Sequence, residues 1–519
     1  MKYLGLGALS FGALLSVSAY GFECKPIEFS EDNANVRTYW EALLQLDDDY
    51  LVAYNIKEAC VTSSQEVKVS KKGDGFTFSF ADLEASYFFK ESDEEKDNPL
   101  FSFKIADPTT IDIMMKDDNL RLISDMDTSR FEVIFYEEDE QFTIPFEMDM
   151  TYDLTYNIPL KAYVSGDYSI DKFYFDLSTI DENVDAKGDI TITGIEGKRT
   201  SAIDDFVDYK DFISMDSIHY LINATDFNML LTAGKTIAET DQKGLDKRFF
   251  TEKDTMSQCW STEALLDNTF KSETQMVIDM YDCMFQAFKG KTIGDFSTAM
   301  IMNDFNLEVN DSYSAPFKFA SKKIGYNADI EEADGNINAG YSIILNENSY
   351  DIDPAILEAE NIPADILPKD IVYGLKLSNI KREMVDNAET IMDLAINNID
   401  VDMNLAIILQ DDIALKSDTH TKLNSDEAVT FMNAQQTLPW MVMMDPTSYE
   451  LESDVIVKNQ AKLVKLIAEI SGQPEGVMGV TLAFFGEKIS ATPPIYKYNI
   501  KMENGEPIIN GKKIPAFGK

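Results

Sequence analysis

Histidine is nearly missing from this sequence, and that scarcity removes much of the usual catalytic repertoire. Only His219 and His420 occur in 519 residues. A serine or cysteine nucleophile activated by imidazole must use one of these two, and a histidine-built zinc site lacks donors. His219 sits between Ile218 and Tyr220 and reads as structural; His420, in Ser417-Asp418-Thr419-His420-Thr421, reads as a loop residue. Cysteine is limited to Cys24, Cys60, Cys259 and Cys283. None stands close enough to another for a Cys-x-x-Cys redox pair or metal knuckle. After Ala19 no apolar run approaches the roughly 20 residues that a spanning helix needs.

Positive charge is the second shortage. Lysine and arginine number 45 against 91 aspartate and glutamate, for a formal net charge of −46. Such a chain repels phosphate backbones and anionic headgroups, which excludes nucleic acid and a charge-driven membrane surface as partners. Signature loops are missing as well: no Gly-x-Ser-x-Gly elbow, Walker loop, Gly-x-Gly-x-x-Gly turn or His-Glu-x-x-His helix occurs. Asp400-x-Asp402-x-Asn404 opens like a calcium loop, but Leu405 stands where glycine is required and Asp411 where glutamate closes the site. These residues fit the polar face of a strand better. No metal or cofactor is expected. Acidity does not mean disorder here, because 45% hydrophobic and 11% aromatic residues suffice for a packed core.

What is present begins with an address. Met1-Lys2, the apolar run Leu4 to Val17 and small residues at Ala19 and Gly21 form the pattern of a secretory signal peptide, with cleavage expected after Ala19. Export to the periplasm follows, with no transmembrane span left after cleavage. In that compartment the four cysteines are expected to form two disulfides. One continuous helix would hold Cys259 and Cys283 about 36 Å apart, beyond disulfide reach. A helical hairpin turning near Phe270, with Ser272 and Gln275 as a capping box, brings them together. Cys24–Cys60 is then the remaining pair.

The main signal has a period of two. From Phe142 the even positions read Phe142, Ile144, Phe146, Met148, Met150, Tyr152, Leu154, Tyr156 and Ile158, with polar residues and Pro145 between them. Unbroken, this run makes a strand of roughly 55 Å at about 3.3 Å per residue. Phe131 to Phe135 pairs with it through the acidic turn Glu137 to Glu140. Similar alternation recurs at Phe173–Phe175, Ile190–Ile192, Ala299–Val309, Ile399–Leu409 and Tyr496–Met502, and Asn510-Gly511 signals a turn. Helices are expected over Asp32–Leu46 (capped by Ser30), Asp254–Leu266, Glu273–Lys289, Arg382–Asn397, Asp426–Gln436 and Asp454–Ile470. The fold class is therefore α+β and β-dominated, with long, mostly antiparallel, curved sheets and a few packed amphipathic helices. The expected division is a signal peptide (1–19), an N-terminal helix with long strands (20–200), a helical hairpin region (201–295) and a second β region ending in a closing strand (296–519).

The order of these features, with Met148 to Tyr156, Ile192 to Gly197 and the ending Glu503 to Ile514, resembles an uncharacterised secreted bacterial family, domain of unknown function 2125. The ending is also similar to YdgA-like envelope proteins. Neither resemblance implies catalytic residues; a looser likeness to AsmA-type envelope proteins implies lipid movement or outer-membrane assembly. Three functions are carried forward. The first is a non-enzymatic envelope protein binding lipid or a protein partner along an apolar sheet face, with Phe142 to Tyr156 as that face. The second is a surface adhesive or protein-interaction module. The third is a hydrolase built on paired carboxylates, whose spacing is spatial rather than sequential.

Overall fold

A computed structural model describes residues 27–44, 56–89, 101–137, 140–177, 186–251, 286–311, 314–359, 363–387, 399–409, 412–423, 449–471, 484–503 and 506–513. Strands dominate, and the ladders that build both units are antiparallel, as the β-dominated α+β expectation has it. The chain divides into two compact units, residues 1–291 and 292–519.

The N-terminal unit begins with helix α1 (Ala34–Leu44) and short strands β1 (Ile56–Thr62), β2 (Lys68–Lys72), β3 (Gly75–Phe80), β4 (Leu83–Phe89), β5 (Phe101–Ile105) and β6 (Thr109–Lys116). Four long strands follow: β7 (Asn119–Glu137), β8 (Glu140–Asn157), β9 (Ala162–Asp176) and β10 (Ala186–Ile203). Then come β11 (Phe206–Met215), β12 (Ser217–Ala224), β13 (Phe227–Ala233), β14 (Thr236–Asp246) and a short turn of helix, α2 (Arg248–Thr251). The expected helical region 201–295 is thus corrected over residues 206–246, which form four strands. Val207, Tyr209, Asp211 and Ile213 alternate in side with Asp208, Lys210 and Phe212, a period of two that suits a sheet. The expected helix Asp254–Leu266 and the hairpin turn lie outside the described residues.

β7 explains how this unit closes. Its register shifts between Met126 and Ser129. Before the shift, Asn119–Ser124 pair with β6; after it, Phe131–Phe135 pair with β5. One long strand therefore carries two arms on the same edge, β6-β3-β2 and β5-β4-β1, while β8 runs along its other edge. A bulge bends a strand and increases its twist, which lets the arms turn their apolar faces toward β8. The β7–β8 hairpin turns between Glu137 and Glu140, as the sequence indicates.

α1 packs into the same space, burying Val36, Trp40 and Leu43 against Phe29, Phe78 and Phe80. Its cap is Asn33 rather than Ser30: the Asn33 carboxamide oxygen accepts from the amides of Asn35 (3.0 Å) and Val36 (3.1 Å). The Ser30 hydroxyl instead accepts from the Val69 amide. Cys60 on β1 is buried and disulfide-bonded. Cys24, Cys259 and Cys283 lie outside the described residues, so the pairs Cys24–Cys60 and Cys259–Cys283 stand as proposals.

The C-terminal unit is built on β15 (Asp295–Asp311), β16 (Ser314–Ala333), β17 (Asn336–Asn346), β18 (Ser349–Ile352), helix α3 (Pro354–Ala359), β19 (Pro368–Lys381), helix α4 (Arg382–Asn387) and β20 (Asp400–Leu409). It continues with β21 (Ala414–Leu423), β22 (Tyr449–Lys458), helix α5 (Gln460–Ser471), β23 (Glu487–Ala491), β24 (Pro494–Glu503), β25 (Glu506–Ile509) and β26 (Lys512–Lys513). Eight strands pair in the order β15-β16-β17-β19-β20-β21-β22-β24. Tight hairpins join β16 to β17 and β25 to β26. Asp334 and Gly335 both take positive φ, at 52° and 75°, and Asn510 and Gly511 do so at 46° and 75°. That is the geometry in which a two-residue turn matches the strand twist.

Two sequence expectations are corrected here. The helix expected over Asp454–Ile470 starts at Gln460, because Asp454–Lys458 belongs to β22, where the β-branched Val455 and Val457 pair with β24. His420, expected in a loop, sits in the middle of β21 opposite Asp402 and Glu452. The helix expected over Arg382–Asn397 is described as far as Asn387, and the rest falls outside the described residues.

Candidate functional site

The face singled out in the sequence, β8, is a packed interior in its central part. Met150 is 1% exposed, and Met148, Tyr152, Leu154 and Tyr156 are all buried. They share one core with α1, β3, β4, β6 and β7, and Phe146 stacks on Phe131 at 5.2 Å between ring centroids. Burial pushes the Tyr152 phenol well above its ordinary value. Ile144 is partly covered, and the side chain of Phe142 lies outside the described residues. The centre of this strand is thus covered by its own unit.

The C-terminal sheet differs. Residues directly opposite in an antiparallel pair share a face, so the registers define continuous rows across the sheet. One row reads Met300, Tyr326, Ile343, Tyr373, Leu405, Ser417, Val455 and Tyr498. Its neighbour on the same face reads Met302, Ile324, Leu345, Ile371, Ile407, Leu415, Val457 and Tyr496. Fifteen of these sixteen residues are aliphatic, aromatic or methionine, and they span eight strands. At about 4.8 Å between strands, the rows reach roughly 34 Å, close to the ~30 Å hydrocarbon thickness of a bilayer.

Cover on this face is graded. At β22 and β24, Val457 and Tyr498 are buried, and burial pushes the Tyr498 phenol up to about 12. α5, with Val464, Leu466 and Ala468 buried, lies against β24. From β15 to β20 the row residues are only partly covered, and Tyr326 and Ile343 are each 37% exposed. A single side chain at that exposure is ordinary; a contiguous apolar field is not.

The one polar entry in the rows belongs to a small hydroxyl cluster. The Ser417, Thr419 and Ser453 hydroxyls lie within 2.7 to 3.0 Å of one another. Three donors and three bonds satisfy the group internally, which is how hydroxyls are tolerated on an apolar face.

The reverse face carries charge. Lys376, Asp402, His420, Glu452 and Lys501 stand opposite one another in sequence across β19, β20, β21, β22 and β24. His420 Nδ1 lies 2.7 Å from Asp402, and Lys501 lies 3.0 Å from Glu452. Asp402 and Asn404 therefore sit in a strand, not in a cation loop. His219 lies on β12 opposite Thr191, 3.9 Å from Asp189. Among the described residues no three His, Cys, Asp or Glu side chains are arranged to hold a metal ion, and no helix is long and apolar enough to cross a membrane.

The sequence signal for this site was partial. The alternation of β15, β20 and β24 is plain, but β16 and β17 carry Gly325, Asn327, Ala339 and Gly340 within their runs. Those small and polar residues weaken the periodicity that the registers restore.

No protein-family model, curated protein or solved structure matches this chain. The resemblance to domain of unknown function 2125 and to YdgA- and AsmA-type proteins gains no support from those comparisons.

Proposed function

We propose that the protein is a non-enzymatic, exported envelope protein that holds lipid acyl chains along the apolar face of its C-terminal sheet. The observation that carries this reading is the contrast between two apolar faces of one chain. The face around β8 is sealed by α1 and two strand arms, whereas the face of β15–β20 leaves two ordered apolar rows partly exposed. Apolar area removed from water contributes about 25 cal/mol per Å², so an acyl chain lying along the rows gains from each strand it crosses. Charge sets the chemistry of the other end. A net charge of −46 disfavours clusters of anionic headgroups, so recognition rests on the chains. A periplasmic setting, reached by the signal peptide and supporting the two proposed disulfides, fits this role.

The test is mass spectrometry of organic extracts from protein purified without detergent out of its native envelope. Extracts should contain lipid at near one-to-one stoichiometry or above. An extract free of lipid, from protein that remains monomeric and folded, would refute the reading.

A further inference from the structure

We propose that the polar face of the N-terminal sheet carries a second, separate binding site: a groove that takes a neutral oligosaccharide. This inference does not rest on the lipid reading. A groove of about 570 Å³ crosses β7 to β11, within the size range of small-ligand sites.

The registers show how it is made. One wall is the row Asp125, Thr151, Ser169 and Glu196 on β7, β8, β9 and β10. The other is Ile123, Asp153, Asp167, Lys198 and Phe212, one residue from each strand β7 to β11. Side chains two apart on a strand stand roughly 6.6 Å from each other, and five strands span roughly 19 Å. The groove is therefore long, narrow and transverse to the strands. Its floor is backbone between the two rows, at Ser124, Tyr152, Tyr168 and Gly197, residues on the opposite face. The floor is tightly packed from below: Tyr152 is 5% exposed, and a Cβ at Gly197 would lie 2.1 Å from the Tyr168 ring.

The walls select a class of ligand. They offer hydroxyls at Thr151 and Ser169, which lie 2.7 Å apart and can each make further bonds. They offer carboxylate acceptors from four strands. Two of these are already engaged: Arg121 donates to both oxygens of Asp153, and Lys198 lies 3.1 Å from Asp167. The exposed Asp125 and Glu196 bracket the hydroxyls. Such walls favour a ligand rich in donors, meaning a polyol or a polyamine. The Lys198 ammonium, with its side chain 60% exposed in the wall, adds a donor that a sugar oxygen can accept and a protonated polyamine, which has no acceptor, cannot. Phe212 and Ile123 give the second wall an apolar patch at each end, suited to the C–H faces of sugar rings. A net charge of −46 disfavours acidic glycans and leaves a neutral one.

Saturation-transfer NMR on the full chain tests this with three neutral probes (maltotetraose, cellotetraose and chitotetraose) and with spermine. At least one tetrasaccharide should show transfer that is saturable. That transfer should fall at least tenfold in Phe212→Ala, and also in the near-isosteric, surface-exposed variant Glu196→Gln. Absence of transfer to all three sugars would overturn the proposal. Transfer unchanged in both variants would place the sugar elsewhere and overturn it too. Spermine binding that is lost in Glu196→Gln, with no sugar bound, would replace it with a cation groove.

Discussion

Replacing Phe131 with alanine is expected to lower the stability of the N-terminal unit by about 3–5 kcal/mol, the usual cost of truncating a buried phenylalanine. Phe131 is fully buried, stacks on Phe146 and meets Phe103 edge-on at 5.9 Å. It sits just past the β7 register shift, opposite Ile105 of β5 on one side and Phe146 of β8 on the other. Its ring therefore joins one strand arm to the long hairpin, and its loss opens a cavity where neither side can collapse without moving the bulge. Urea unfolding measures the loss. Phe135→Ala supplies the comparison, since Phe135 lies four residues along the same strand and is 38% exposed; it should cost under about 1 kcal/mol, nearer a surface change. Equal losses in the two variants would contradict the closed-core description of β7.

The second large effect concerns binding. Ile343→Asp should weaken binding of a dansyl-labelled fatty acid at least tenfold, about 1.4 kcal/mol, while the unfolding midpoint moves little. A carboxylate in the row must be desolvated beneath an acyl chain or hold that chain off. Val372→Asp is the matched control. Val372 is 39% exposed against 37% for Ile343, but lies on the reverse face, opposite Ile344. It should leave affinity within about twofold. Equal weakening by both substitutions would show that binding does not depend on the proposed face.

Much of this fold is legible in the sequence, for a physical reason. A period of two is local, so the length of β8, its hairpin with β7 and the strand character of Asp400–Leu409 all follow from side-chain order. Cover is not local. Whether the Met150 and Tyr152 face is open depends on a bulge at Met126–Ser129 and on arms that pair β7 with β5 and β6. Nothing in the alternation of β8 encodes those partners, so the sequence points to its most regular apolar face as the binding face although the central residues of that face are core. The less regular face of β16 and β17 emerges only when registers align Tyr326 with Ile343 and Tyr373. The same limit explains α5. Residues 454–458 satisfy both a helical and a strand pattern, and pairing with β24 settles the choice. It also explains His420, whose short polar surroundings read as a loop until Asp402 and Glu452 flank it in the ladder.

The central claim is that acyl chains lie on the partly exposed rows of β15 to β20, and photolabelling locates them directly. The full chain is loaded with a diazirine-bearing fatty acid, irradiated, digested and mapped by tandem mass spectrometry. Adducts should concentrate on peptides containing Tyr326, Ile343 and Tyr373, and should be competed away by unlabelled fatty acid. Competable adducts confined to other parts of the chain, or none at all, would contradict the account.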